Sequence, residues 1–319
     1  MMGDRLKWVR RNVGTLGAYA VAVILFSAIT AFVPGFGSAA HIRFLLLTAA
    51  FVGVVALGQT FVILGGGFDL SIPWTLNAVS TITTALCLGH DTRLLWVLPL
   101  VFGLAALIGL INGVGVAIFR ISPIIMTMAM NVIGQGLVVL GFSGLSSTKS
   151  PPLIRDMVNR VVVELPIGVW IWLLLAAIAT ILLSFTGFGR RLYAVGTNDQ
   201  VSRFAGINIA ATRIATYVIS GVCAGIAGLM LTGFIGESSL GFGDPFLFAS
   251  VAAVAVGGAS VLGGQGHYLG TVAGALILTF LTGLLPILNL AQGWLEIIYG
   301  LAILVTVGIA NMERFRLEA

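Results

Sequence analysis

The sequence predicts an all-α polytopic membrane protein with about ten transmembrane helices. Three observations carry that expectation. Apolar residues make up 59% of the 319 residues and charged ones 8%, and mean hydropathy is +1.11, far from the averages of soluble domains. Apolar runs recur along nearly the whole chain, most of them close to the roughly 20 residues that cross ~30 Å of hydrocarbon. Proline, glycine and charged residues gather in the short breaks between those runs. Residues 1–319 therefore read as a single transmembrane domain.

Taken in order, the chain opens with a basic segment and an apolar run over 13–33. That run of about 21 residues exceeds the ~7–15 of a signal-peptide core, so it is expected to stay as the first helix. Spans follow at 44–64, 72–88, 94–119 and 123–142. After a longer polar interval come 165–185, 212–235, 246–262, 268–288 and 293–310. Lysine and arginine set the orientation. With the N-terminus inside, eleven of them fall on the inner side: Arg5, Lys7, Arg10, Arg11, Arg120, Arg190, Arg191, Arg203, Arg213, Arg314 and Arg316. Arg43, Arg93, Lys149, Arg155 and Arg160 fall on the outer side. Both termini and the long 186–211 loop are then cytoplasmic. This asymmetry also explains the isoelectric point near 9.7, with membrane lipid as the natural partner and no need of nucleic acid.

Several chemistries lack their residues. The two lysines, Lys7 and Lys149, follow no GxxxxGK[ST] pattern, so nucleotide hydrolysis by a phosphate-binding loop is excluded. His41, His90 and His267 stand apart at predicted helix ends, with no HExxH and no Cys/His cluster, and no metal set follows. Cys87 and Cys223 both lie inside spans and read as free packing thiols. Span interiors are nearly free of charge, with Glu237 and Glu296 near predicted ends. That weakens ion coupling, which relies on ionisable groups at membrane depth.

A polar pathway for a neutral solute remains. Asn77, Ser80, Thr81 and Thr84 recur at i, i+3, i+4 and i+7 and share one helix face. Thr127, Asn131 and Gln135 are four apart on the fifth span and share another. Amides and hydroxyls both donate and accept, which suits a hydroxyl-rich solute. The same groups also join neighbouring helices in membranes, and both readings stand at this point.

The third and eighth spans are the shortest, and each follows a glycine-rich break bearing Asp and Pro: "GGGFDLSIP" (65–73) and "GFGDPF" (241–246). Asp69 or Ser71 is expected to cap the third helix, with Asp69 beside the pathway, and Asp244 to cap the eighth. Short interrupted segments at matching places suggest an inverted repeat, spans two to five recurring as seven to ten. Most of the 42 glycines read as close helix packing. In the 186–211 loop, Asn198 or Asp199 is placed to cap a short helix running to Ala205 and ending at Gly206. That helix is either a docking element or part of a basic stretch attracted to anionic lipid.

Four motifs, in order along nearly the whole chain, resemble the permease subunits of bacterial ABC importers of ribose, xylose, arabinose, galactofuranose and related sugars. They are "GQTFVILGGGFDLSIP" (58–73), "GLINGVGVAIFRISPIIMTMA" (109–129), "AVGTNDQVSRFAGIN" (194–208) and "VGGASVLGGQGHYLGTVAGALIL" (256–278). The third is similar to the family's EAAxxxG coupling segment, with Gln200, Val201 and Ser202 in the place of E-A-A and Gly206 in that of the glycine. The resemblance implies that Asn198, Asp199, Gln200, Val201, Ser202, Arg203, Phe204 and Gly206 fit a groove on a separate ATPase. It also implies a second permease chain, identical or paralogous, and a periplasmic solute-binding protein. ATP and Mg would act on the ATPase, leaving this chain without a cofactor or catalytic residue, in the bacterial inner membrane. Arg43, Arg93, Arg155 and Arg160 could pair with acids on the binding protein, or simply anchor the outer surface. A stand-alone transporter or channel for a neutral solute is the alternative.

Overall fold

A computed structural model describes residues 2–142, 149–291 and 293–318. The side chains of Arg5, Lys7, Arg10, Arg11, Arg314 and Arg316, counted above for orientation, lie outside the described ones. The helices are α1 (Met2–Phe32), α2 (Ala39–Leu64), α3 (Ile72–Cys87), α4 (Leu94–Ala117), α5 (Pro123–Phe142), α6 (Pro152–Asn159) and α7 (Ile167–Phe185). They continue as α8 (Gly187–Thr197), α9 (Asp199–Phe204), α10 (Ile209–Ile235), α11 (Phe246–Val256), α12 (Tyr268–Leu284) and α13 (Gly293–Glu318). One hairpin, β1 (Val161–Val162) and β2 (Leu165–Pro166), separates α6 from α7. Val163 and Glu164 at its tip both take positive φ, 47° and 64°, as a two-residue turn matched to strand twist requires.

Every predicted apolar run holds a helix. Six helical segments are long and apolar enough to cross a membrane: Gly14–Phe32, Ala39–Leu64, Asp91–Ala117, Pro123–Phe142, Ile167–Phe185 and Ile209–Ile235. Shorter apolar helices are Phe246–Val256, Tyr268–Leu284 and Gly293–Thr306, and α3 has 16 residues. Two expectations change. The run 246–262 stays apolar, but α11 stops at Val256 because Gly258 (φ 83°) turns the chain into a loop closed by Ser260 N–H donating to the Gln265 carbonyl at 2.9 Å. The interval after the fifth span also contains α6, whose Ile154 and Val158, four apart, are buried.

Helix α10 sits at the centre against α2, α3 and α4, and α12 also packs on α2. Lipid tails are as apolar as leucine, so helices associate in a bilayer by close packing and hydrogen bonds. Small residues supply the first. A Cβ on Gly109 would strike the Tyr217 carbonyl, and one on Gly221 the Ala105 carbonyl, so α4 and α10 touch backbone to backbone. Hydroxyl pairs supply the second: Thr60 with Thr271 at 3.0 Å and Ser80 with Thr232 at 2.6 Å. Trp172 donates to the Tyr268 hydroxyl at 2.8 Å, which itself donates to the Gly53 carbonyl at 2.8 Å. Peripheral helices expose large apolar side chains, such as Leu95 on α4 and Leu140 on α5, a surface that suits lipid.

Candidate functional site

The break between α2 and α3 is built by its own sequence. Gly65 caps α2, its N–H reaching the Phe61 and Ile63 carbonyls, and Gly66 takes φ 78°, a conformation favouring glycine. Asp69 is 1% exposed. Its Oδ1 accepts from the Ser71 N–H at 3.0 Å and from the Ser71 hydroxyl at 2.6 Å, while Asn112 donates to that hydroxyl at 2.8 Å. The expected cap is thereby corrected. Ser71 occupies the N-cap of α3 without a side-chain bond, and Asp69 braces the turn before it, an aspartate bonding backbone two residues on. Asp244 does not cap α11 either: Pro245 holds that position, and partial burial pushes the Asp244 carboxyl up. Asp69→Asn keeps an acceptor and is expected to leave folding intact. Asp69→Ala strands the buried Asn112–Ser71 pair and should cost about 1–3 kcal/mol, read as a lower melting temperature in detergent.

The predicted polar faces point to different neighbours. Asn77, Ser80, Thr81 and Thr84 are all buried on the side of α3 turned to α10 and the 236–245 loop. Asn77 Oδ1 accepts the Gly243 N–H at 3.2 Å, Ser80 pairs with Thr232, and Thr84 with Ser238 at 2.6 Å. Among the described residues Asn77 Nδ2 and Thr81 Oγ1 have no partner. Thr127 donates to the Pro123 carbonyl at 2.8 Å and is buried, whereas Asn131 is half-buried and Gln135 exposed. Ser80→Ala should cost about 0.6 kcal/mol and no more than ~1.7, because Thr232 keeps its bond to the Gly228 carbonyl at 2.7 Å; thermal unfolding reads it.

At the α8–α9 end, Asn198 caps α9 by accepting from the Gln200 and Val201 N–H groups at 2.9 and 3.1 Å. Ser202 is buried, while Val201 and Phe204 are 63% and 91% exposed. Gly206 takes φ 76° and ends the element. The Asp199 carboxylate pairs with Arg213 on α10 at 2.9 Å, and Arg213 Nε donates to the Gly65 carbonyl at 3.4 Å. Break and loop thus meet. They line one cavity of about 800 Å³, to which α9 contributes Asp199, Gln200, Arg203 and Phe204 and the break Gly65, Gly66 and Gly67. Tyr217 closes its inner wall, donating to the Phe68 carbonyl at 3.2 Å. Sequence reasoning missed Arg213 and Tyr217; an arginine in the first turns of a helix, with an acid one loop earlier, was the available signal for the first.

The four outer arginines lie at the opposite end. Arg43 forms an ion pair with Glu164 at the hairpin tip and donates to its carbonyl at 2.9 Å. Arg93 donates to the Leu86 carbonyl at 3.0 Å. Arg155 borders a small cavity with Asp156 and Asn159, and Arg160 is exposed where α6 ends. Among the described residues no group of three or more His, Cys, Asp or Glu could hold a metal.

The sequence has relatives of known kind. A family model for the permease component of the branched-chain amino acid transport system matches residues 41–307. The chain belongs to that permease family. The permease is 29% identical over 294 residues to the ribose import permease protein RbsC of Haemophilus influenzae, covering 91% of both chains. Its counterpart in Escherichia coli K12 is 28% identical over 296 residues, 92% of each. The autoinducer 2 import system permease protein LsrD of Photorhabdus laumondii is 28% identical over 272 residues, 82% of this chain and 81% of that one. No solved structure matches. The permease is accordingly a membrane subunit of an ABC importer in the bacterial inner membrane, a transport component and not an enzyme. Membership implies an ATPase, on which ATP and Mg act, and a periplasmic binding protein as partners.

Proposed function

We propose that the permease carries a monosaccharide or similar polyhydroxylated solute from its binding protein to the cytoplasm. The support is the whole-length similarity to permeases named for ribose and for autoinducer 2, set beside polar helix faces rich in hydroxyls and amides. In this reading residues 1–319 form one transmembrane permease domain of about ten spans with both termini cytoplasmic, and spans two to five recur inverted as seven to ten. The short helices α3 and α11, each entered from a glycine-rich break, support the repeat. The arginines at the α9 end support the orientation.

Two permease chains, identical or paralogous, would pair around the pathway. ATP binding and hydrolysis on the ATPase would shift them between inward-open and outward-open states. Residues 186–211 serve as the coupling loop, with α9 as the docking element. Its outward Val201 and Phe204 present an apolar knob, and Asn198, Gln200, Ser202, Arg203 and Gly206 fix its shape. Asn77, Ser80, Thr81, Thr84, Thr127, Asn131 and Gln135, with Asp69 bracing the break, border the route. Of the outer arginines, Arg155 and Arg160 are the free contacts for the binding protein, since Arg43 and Arg93 are engaged within the chain.

The observation that carries the coupling part of this reading is the Arg213 bridge from Asp199 on α9 to the Gly65 carbonyl. It joins the surface that would meet the ATPase to the break that starts α3. Affinity purification from solubilised native membranes tests it. Recovery of a nucleotide-binding ATPase, lost when 198–206 is rewritten, is expected; recovery of this chain alone would favour a stand-alone transporter.

A further inference from the structure

The cavity of about 800 Å³ at the α9 end gathers positive charge. Arg120, Arg203 and Arg213 line it, from the α4–α5 turn, α9 and α10 respectively, and Asp199 is the acidic residue among its lining. Asp199 is bound to Arg213, so Arg120 and Arg203 face the space with no carboxylate paired to them among the described residues. Two helix starts add to this. Ser122 and Pro123 at the head of α5, and Ile209 and Ala210 at the head of α10, line the same space, and a helix N-terminus carries roughly half a positive charge. Arg120 itself sits at φ 55°, a conformation that costs a non-glycine residue energy and recurs at functional sites.

An open cavity whose lining carries two arginines without a carboxylate partner is electrostatically incomplete. Water and counter-ions screen it in the open cavity, but a fixed anion does so with directed bonds. Guanidinium groups present paired N–H donors that fit phosphate oxygens in bidentate fashion, and the Ser122 hydroxyl adds a further donor. The volume lies within the ~300–1,000 Å³ usual for small-molecule sites, which is far more than a lone inorganic ion needs. We propose that this cavity is a binding site for a phosphate ester, either a soluble sugar monophosphate or the headgroup of an anionic phospholipid. Its occupant would bridge Arg203 on α9 to Arg120 at the α4–α5 turn and so tie the coupling element to the helix bundle. The inference does not depend on which solute the permease carries.

Calorimetric titration of the purified permease, alone and with its ATPase bound, in nanodiscs of zwitterionic lipid tests this with glucose 6-phosphate and with glucose. Native mass spectrometry of the same protein from membranes containing phosphatidylglycerol forms the second arm. Glucose 6-phosphate should bind in a way that needs Arg120 and Arg203 while any binding of glucose does not, or phosphatidylglycerol should be retained through purification; the arm that responds identifies the source. Arg120→Gln should weaken that binding about tenfold or more, as loss of a charge-assisted bond does, whereas Arg120→Lys should restore part of it. Unchanged melting temperature shows that the variants fold. Absence of both phosphate-bearing probes, or binding equal in wild type, Arg120→Gln and Arg203→Gln, would overturn the proposal. So would binding seen only in the isolated chain and abolished by the ATPase, which would make the cavity part of that interface.

Discussion

Reversing either charge of the Asp199–Arg213 pair is expected to cut ATP-driven uptake roughly tenfold, and the double exchange Asp199→Arg with Arg213→Asp to leave it low, because the exchange removes the N–H that reaches the Gly65 carbonyl. The pair is partly open to solvent, with side chains 43% and 26% exposed. As a stabilising ion pair it is therefore worth only about 0–1 kcal/mol, and the melting temperature should barely move. Its leverage lies elsewhere: the same guanidinium reaches the Gly65 carbonyl, so with α9 as the proposed docking element the pair would transmit a displacement of α9 to the end of α2. Coupling of this kind is typically about 1–3 kcal/mol, or roughly 5–150-fold. Uptake should be compared with ATP hydrolysis in the assembled complex. Hydrolysis that continues without uptake is the expected signature; a parallel loss of uptake, hydrolysis and thermal stability would mean that the pair only holds the fold.

Gly221→Leu should be the most disruptive single change in the membrane-embedded core. A side chain there meets the Ala105 carbonyl, and Gly221 also lies against the Gly109 nitrogen. Backbone cannot rotate aside as a side chain can, so α4 and α10 must separate. Overpacking in tight cores costs about 1–3 kcal/mol and occasionally more. A large fall in melting temperature, with low recovery of monodisperse protein, is expected. Gly103→Leu, on the partner helix α4, has nothing within 4 Å of its added Cβ and should be nearly silent. Equal damage from both would show that leucine itself, not the close approach, is at fault.

Much of this was legible in the sequence because a bilayer imposes one strong pattern. Every apolar run holds a helix, most with ends within a few residues, and the spacing of Asn77, Ser80, Thr81 and Thr84 correctly put them on one face. What that face meets was not legible. Ser80 and Thr84 find Thr232 and Ser238 more than 150 residues later in the chain, and nothing in the periodicity of α3 names α10. The end of α11 was misread for a local reason: Gly257 to Val261 stays apolar overall, and hydropathy does not register Gly258 at positive φ. Helix α6 was missed because eight residues behind two prolines bury only Ile154 and Val158, too short a pattern to stand out. Arg213 counted only as one more inner positive charge. Its role depends on a loop that folds Asp199 back across 14 residues, outside the reach of i, i+4 reasoning.

On the proposed reading this chain moves solute only when an ATPase drives it through α9. Flux into proteoliposomes tests that most directly, with the permease reconstituted alone, and again with its ATPase and binding protein, using ribose as the first labelled solute and related sugars after it. No flux is expected from the chain alone, and ATP-dependent accumulation from the assembly that falls when Asp199 is reversed. Downhill equilibration of solute by the chain alone, unaffected by changes to 198–206, would contradict it.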